Sequence, residues 1–116
     1  FPAFWSRNSG LKCPLRLDST EEIVQFWRAR QALKQNGGVL IVNPVPEADE
    51  IPATEMNHYI EHAVLEAHGN KVTGKAVTPW LLARIMELTE GRSLETNIAL
   101  IKNNARLAGE IAVGLG

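Results

Sequence analysis

The sequence predicts an α/β fold that is mostly helical over these 116 residues, with one or two strands. Two observations carry this reading. Val39-Leu40-Ile41-Val42 is an unbroken apolar run rich in β-branched residues, the pattern of a strand buried on both faces of a sheet. Around it lie four stretches with the periodicity and punctuation of helices, one before the run and three after it.

Each element has its own signal. Phe1 to Leu15 holds three large aromatic residues, two prolines and Gly10, which predicts a packed loop. Leu15-Arg16-Leu17 alternates as a short strand does. Ser19 is placed as an N-cap, and Glu21 and Glu22 follow in the first turn, where the helix dipole favours negative charge. That helix is expected over 20–35, with Ile23, Phe26, Trp27 and Leu33 on one side and Gly37-Gly38 as its stop. The apolar run then ends at Asn43-Pro44. Pro46 to Pro52 carries three acids and two prolines, an exposed loop leaving the strand's C-terminal edge, where α/β proteins place ligand sites.

The second helix is expected over 53–68, closing at Gly69. The third starts at Thr78-Pro79, with threonine as cap and proline at the first helical position, and ends at Gly91. Ser93 is placed to cap the last helix, 94–115. A lone buried strand needs neighbours that this chain barely supplies. A start on Phe1-Pro2-Ala3-Phe4-Trp5, with no methionine, is likewise what a segment of a longer protein shows.

Bulk properties narrow the function. A net charge of −1 gives no long-range attraction for a phosphate backbone, so nucleic-acid binding is not expected. No apolar stretch approaches the roughly 20 residues that span a bilayer, so no membrane partner is expected either. Cys13 is the single cysteine, which excludes an intrachain disulfide and fits an intracellular, cytoplasmic location. With no histidine near it in sequence, it reads as a structural thiol rather than a nucleophile.

His58-Tyr59-Ile60-Glu61-His62 matches H-x-x-E-H, the pattern of inverted zinc peptidases. Helical phase argues against that chemistry. Met56, Ile60, Ala63, Val64 and Ala67 form the apolar face, and at about 100° per residue both histidines point away from it, into solvent. A catalytic zinc needs a walled pocket.

The last helix carries more. Ile98, Leu100, Ile101, Ala105, Leu107, Ala108, Ile111, Ala112 and Leu115 cover well over half its circumference, which predicts a largely buried helix. Lys102, Arg106 and Glu110 form a narrow polar stripe. Asn97 and Asn104 stack in the middle of the apolar face, with Asn103 nearer its boundary. A buried amide needs partners or costs about 1–3 kcal/mol. Those partners are either neighbouring backbone or a polar ligand, and the sequence leaves both open. Lys75, just before the third helix, is a second candidate for a phosphate or carboxylate, against the commoner solvated lysine of a turn.

Five stretches resemble the pseudouridine-5′-phosphate glycosidase family, in order and spacing. They are Phe1-Pro2-Ala3-Phe4, the run from Gly37 to Glu47, the run from Gly74 to Arg84, the run from Leu88 to Leu94, and the run from Asn97 to Ala105. Trp5 and Trp80 stand where other aromatic residues are usual. The resemblance implies that residues 1–116 are the C-terminal portion of a three-layer α/β/α glycosidase domain that assembles as a homotrimer. It implies reversible cleavage of the C–C glycosidic bond of pseudouridine 5′-phosphate to ribose 5-phosphate and uracil. It also implies a lysine that opens the sugar as an imine, a glutamate acid/base and an aspartate-held Mn2+, all upstream of Phe1, so that the segment alone is inactive. Asn97, opening the Asn-Ile-Ala-Leu motif, is the substrate contact the resemblance implies. Asn104, Lys75 and Thr78 are further candidates for binding substrate. The alternative reading is a non-catalytic packing or oligomerisation module.

Overall fold

The computed structural model describes residues 1–116, and its secondary structure is entirely helical. Four α-helices span Thr20–Ala32 (α1), Ala53–Gly69 (α2), Val77–Leu88 (α3) and Arg92–Leu115 (α4). Single 3-10 turns at Glu47–Asp49 and Gly74–Ala76 precede α2 and α3. α4 is the spine, about 36 Å long at about 1.5 Å per residue. α3 and the Glu47–Asp49 turn pack on α4, α1 packs on it as well, and α2 packs on α3 and meets α4 through the Glu55–Arg92 ion pair.

Neither expected strand forms. Leu15-Arg16-Leu17 and Val39-Leu40-Ile41-Val42 are both irregular chain. A strand is defined by its ladder partner, and here the run 39–42 has none. Leu40 is 83% exposed and Val39 and Ile41 are exposed too, so of the residues whose pattern reads as doubly buried only Val42 is half-covered.

α1 opens as expected: the Ser19 side chain accepts from the Glu22 N–H at 3.2 Å. Its buried residues are Ile23 and Val24, with Phe26 and Trp27 half-covered, while Leu33 lies beyond the helix and is exposed. The stop signals were misplaced. α1 ends at Ala32, short of Gly37-Gly38, because Lys34 takes the left-handed exit at φ 52°. Lys71 (φ 55°) and Glu90 (φ 53°) do the same after α2 and α3. In each case the N–H of the left-handed residue bonds the carbonyl three positions back, and the next N–H bonds the one five back. That is the Schellman closure, made three times without glycine in the left-handed position. Gly69 is instead the last residue of α2.

The helix starts are displaced from the expected positions as well. α3 begins at Val77 out of the 3-10 turn, so Pro79 is its third residue, still within the turn whose N–H groups lack intrahelical partners. Thr78 makes no capping bond. α4 begins after Gly91, at φ 86°, and Ser93 is buried inside its first turn. The cap is Thr89. Its hydroxyl donates to the Ile85 carbonyl at 2.8 Å and accepts from the Ser93 N–H at 3.1 Å. One buried side chain thereby closes α3 and opens α4.

The core is small. Ile51, Met56, Ala63 and Ile85 form it, with Trp5, Tyr59, Trp80 and Leu81 around them. Only the first part of the N-terminal loop is packed, through Ser6, and residues 7–16 are exposed. The Ile51 N–H donates to the Trp5 carbonyl at 2.8 Å, and Arg7 Nη1 donates to the Val45 carbonyl at 2.9 Å. At the other end, Val24 meets α4 so closely that a Cβ on Gly114 would lie 2.8 Å from its Cγ2. The radius of gyration, 17.6 Å, exceeds the about 13 Å of a compact chain this long.

α2 and α3 are joined by a fork. Arg84 Nε and Nη2 donate to the two Glu66 carboxylate oxygens at 2.5 and 2.9 Å, and Nη1 donates to Glu87 at 2.8 Å. The Arg84 hydrogen bond holds the Glu66 carboxyl below the usual carboxylate range. Partial burial opposes this, and the charges of Arg84 and His62 assist. The same bonds raise the Arg84 pKa.

Two outcomes follow from these contacts. Thr89→Val leaves the buried Ser93 N–H without a partner and should lower stability by about 1–2 kcal/mol in urea denaturation, with Thr89→Ser retaining most of it. Because Glu66 is depressed, its bridge stabilises the fold above the usual carboxylate pKa and is lost as pH falls through the depressed value. Carboxyl NMR titration should place Glu66 below the usual value of about 4.3, and Arg84→Met should move it up. A wild-type midpoint at or above the usual value would contradict the fork.

Candidate functional site

The N-terminal half of α4 and the segment 43–51 lie together. Thr96 Oγ1 donates to the Asp49 carbonyl at 2.8 Å. Seven residues along, Asn103 Nδ2 donates to the Pro44 carbonyl at 3.0 Å. Asn43 Nδ2 donates to Asn104 Oδ1 at 3.1 Å. As the α4 number rises the segment number falls, so 43–49 runs antiparallel along the helix. The loop expected to be exposed is therefore seated at both ends. Val45 and Ile51 are its anchors, 0% and 1% exposed, and only Glu47 to Asp49 stand out between them.

Sequence phase placed Asn97 and Asn104 in the middle of a buried face. The structure corrects this. α4 is covered on one side only: Ser93 and Thr96 are buried and Leu100, Asn103, Leu107 and Ile111 half-buried. Leu94, Ile98 and Ile101 are exposed. The asparagines lie between the covered and the open apolar sides, Asn97 half-buried and Asn104 exposed. Asn103, read as a boundary residue, makes the better-protected bond and also accepts from Arg106 Nη2 at 2.8 Å. Asn104 pairs with Asn43, whereas the Asn97 amide enters no such pair.

The four candidate residues fall in two places. Lys75 sits in the Gly74–Ala76 turn, which touches α3 and no other element. Thr78 is exposed in the first turn of α3. No hydrogen bond links either of them to Asn97 or Asn104. Asn43 and Thr96 were missed as contacts. Asn43 was legible only as the end of an apolar run, and Thr96 has no sequence signal beyond its spacing from Asn103.

His58 and His62 are both exposed, as phase predicted, and His62 lies 3.6 Å from Glu66. Cys13 is free and exposed. No three His, Cys, Asp or Glu side chains converge as cation ligands. A groove of about 710 Å³ follows the α1–α4 seam past Thr20, Arg28 and Gly114, away from every candidate residue. What the asparagine strip offers is a set of planar amide donors and acceptors on a rigid helix. That suits a ligand with matching amide edges and does not suit acid–base work.

This arrangement defines a helical segment that carries a polar strip beside an anchored loop. By its sequence the chain belongs to the indigoidine synthase A-like protein family, whose model matches residues 1–114. It is 60% identical to pseudouridine-5′-phosphate glycosidase 1 of Rhizobium johnstonii, over 100% of this chain and 37% of that protein. A pseudouridine-5′-phosphate glycosidase of Mesorhizobium japonicum is 62% identical over 98% of this chain and 37% of its own length. The crystal structure of an indigoidine synthase A-like protein from Thermotoga maritima superimposes with a TM-score of 0.79 at 42% identity, covering 99% of this chain and 37% of that one. The chain thus spans little more than a third of the length of these relatives. No helix is long and apolar enough to cross a membrane.

The bonds at the strip rank its residues. Asn103→Ala strips the partly buried Pro44 carbonyl of its donor and should cost about 1 kcal/mol in urea denaturation. Asn104→Ala removes an exposed pair and should cost less than half of that. The reverse order would mean that the strip is held differently.

Proposed function

We propose that this chain is the C-terminal portion of a pseudouridine-5′-phosphate glycosidase, a three-layer α/β/α enzyme. It reversibly cleaves the C–C glycosidic bond to yield ribose 5-phosphate and uracil. The observation that carries the reading is 60% identity over all 116 residues to a relative of that name. The seated loop supports it, because it brings an asparagine strip to the kind of loop where α/β enzymes bind ligands.

A C–C glycoside has no glycosidic oxygen to protonate, so an amine nucleophile that opens the sugar supplies the electron sink. The lysine, the glutamate and the aspartate that helps to hold Mn2+ belong, on this reading, to residues outside these 116. The protein works inside the cell as a homotrimer. The task of this segment is binding. Uracil carries an edge of amide donors and acceptors, which the Asn97 amide matches. Asn104 lies one heptad away, and Lys75 and Thr78 at the start of α3 are the remaining substrate contacts. The isolated chain should release no uracil.

The test is Asn97→Ala in a full-length enzyme that contains this segment. Losing the amide contact should lower kcat/KM about tenfold to a hundredfold, the equivalent of about 1.4–2.8 kcal/mol. Unchanged turnover and substrate affinity in a folded variant would make Asn97 structural and remove it from the site.

A further inference from the structure

The open side of α4 has a regular spacing. Leu94, Ile98, Ile101, Ala105, Ala108 and Ala112 follow one another at alternating steps of four and three residues, and all six are exposed. Steps of four and three keep one line of side chains on one side of a helix, the spacing of a seam packed lengthwise against a neighbour. The covered side of α4, about 140° away around the helix, has its own such line in Ser93, Thr96, Leu100, Asn103 and Leu107. A helix with one apolar line is amphipathic, whereas a helix with two is built to be packed from two directions. Glu95, Lys102 and Arg106 are confined to the remaining arc, and no charge interrupts the open line. Bulky residues occupy its first half and alanines its second, so a neighbour approaches the backbone more closely toward the C-terminus.

We infer that this open line is a docking surface for the polypeptide that makes up the greater part of the relatives' length. The inference rests on the functional reading above and names the surface by which this segment joins the rest of such an enzyme. Three observations select that occupant. The backbone of 99% of this chain recurs inside a solved chain of which it covers 37%, so the same helices exist with far more polypeptide beside them. Leu94, Ile98 and Ile101 are each more than two-fifths exposed on one rigid helix, an apolar surface that this chain leaves uncovered. The Asn43–Asn104 pair holds the end of the apolar run 39–42 at the border of the same line, so a second uncovered stretch arrives at the same place.

The experiment compares the 116-residue chain with a chimera in which it replaces the matching segment of the full-length Rhizobium johnstonii relative. Ile98→Cys and Ala105→Cys are placed on the line and Lys102→Cys on the charged arc, and maleimide labelling is followed peptide by peptide. In the isolated chain all three should react quickly. In the chimera the two line positions should be protected at least tenfold while Lys102→Cys keeps its rate. Equal labelling of the line positions in both proteins overturns the proposal. So does protection in the isolated chain that grows with its concentration, because the occupant is then a second copy. As an independent arm, Ile98→Glu with Ile101→Glu should stop the chain from co-purifying with the remainder of that relative expressed as a separate polypeptide. Lys102→Glu should leave co-purification intact, and two variants that behave alike overturn the proposal. Protection in a chimera that releases no uracil would retain the docking surface and reject the glycosidase reading.

Discussion

Ser93, Thr96, Leu100, Asn103, Leu107, Ile111 and Gly114 recur every three or four residues along one side of α4, and the rest of the chain is arranged against that side. α3 arrives through the Thr89 cap, and α2 follows α3 through the Glu66–Arg84 fork. The segment 43–49 is laid along the helix by Thr96 and Asn103. α1 closes on the far end, where Gly114 lets Val24 approach and its carbonyl accepts from Arg28 Nη2 at 2.9 Å. Without this covered side the elements would have no common partner, because α1 and α2 do not touch.

The same helix explains why so little of the chain is buried. Helix packing covers an arc, and the apolar arc of α4 is wider than one arc of contact. The asparagines sit where the covered and open sides meet. A polar amide at that border stays solvated or bonded whichever side is filled, while a polar group at the centre of either apolar line would lose its water outright. Asn97 and Asn104 are therefore placed to meet both this segment and whatever covers the open line.

The sequence carried the helices well and their ends poorly. Periodicity identified four helices, and the phase of Met56, Ala63 and Ala67 placed His58 and His62 in solvent, where they are. The ends failed for one reason. Glycine is the stop signal the sequence offers, whereas Lys34, Lys71 and Glu90 adopt the left-handed exit and accept its local strain in return for the Schellman bonds. Ser93 resembled a cap because it precedes an apolar run, but a hydroxyl already inside the preceding turn, that of Thr89, reached the orphan N–H first.

Local pattern by itself determined what concerns one element at a time. It identified which stretches are helical, which face of α2 is apolar, that α4 is apolar around most of its girth, and, through motif order, the family. Tertiary structure decided which part of the α4 girth is covered, which asparagine bonds the backbone, and that Val39-Leu40-Ile41-Val42 is no strand within these residues. The reason is that periodicity records what a side chain can tolerate as a neighbour. Burial, a strand ladder and an amide bond each require the neighbour to be present, and only the three-dimensional arrangement supplies it.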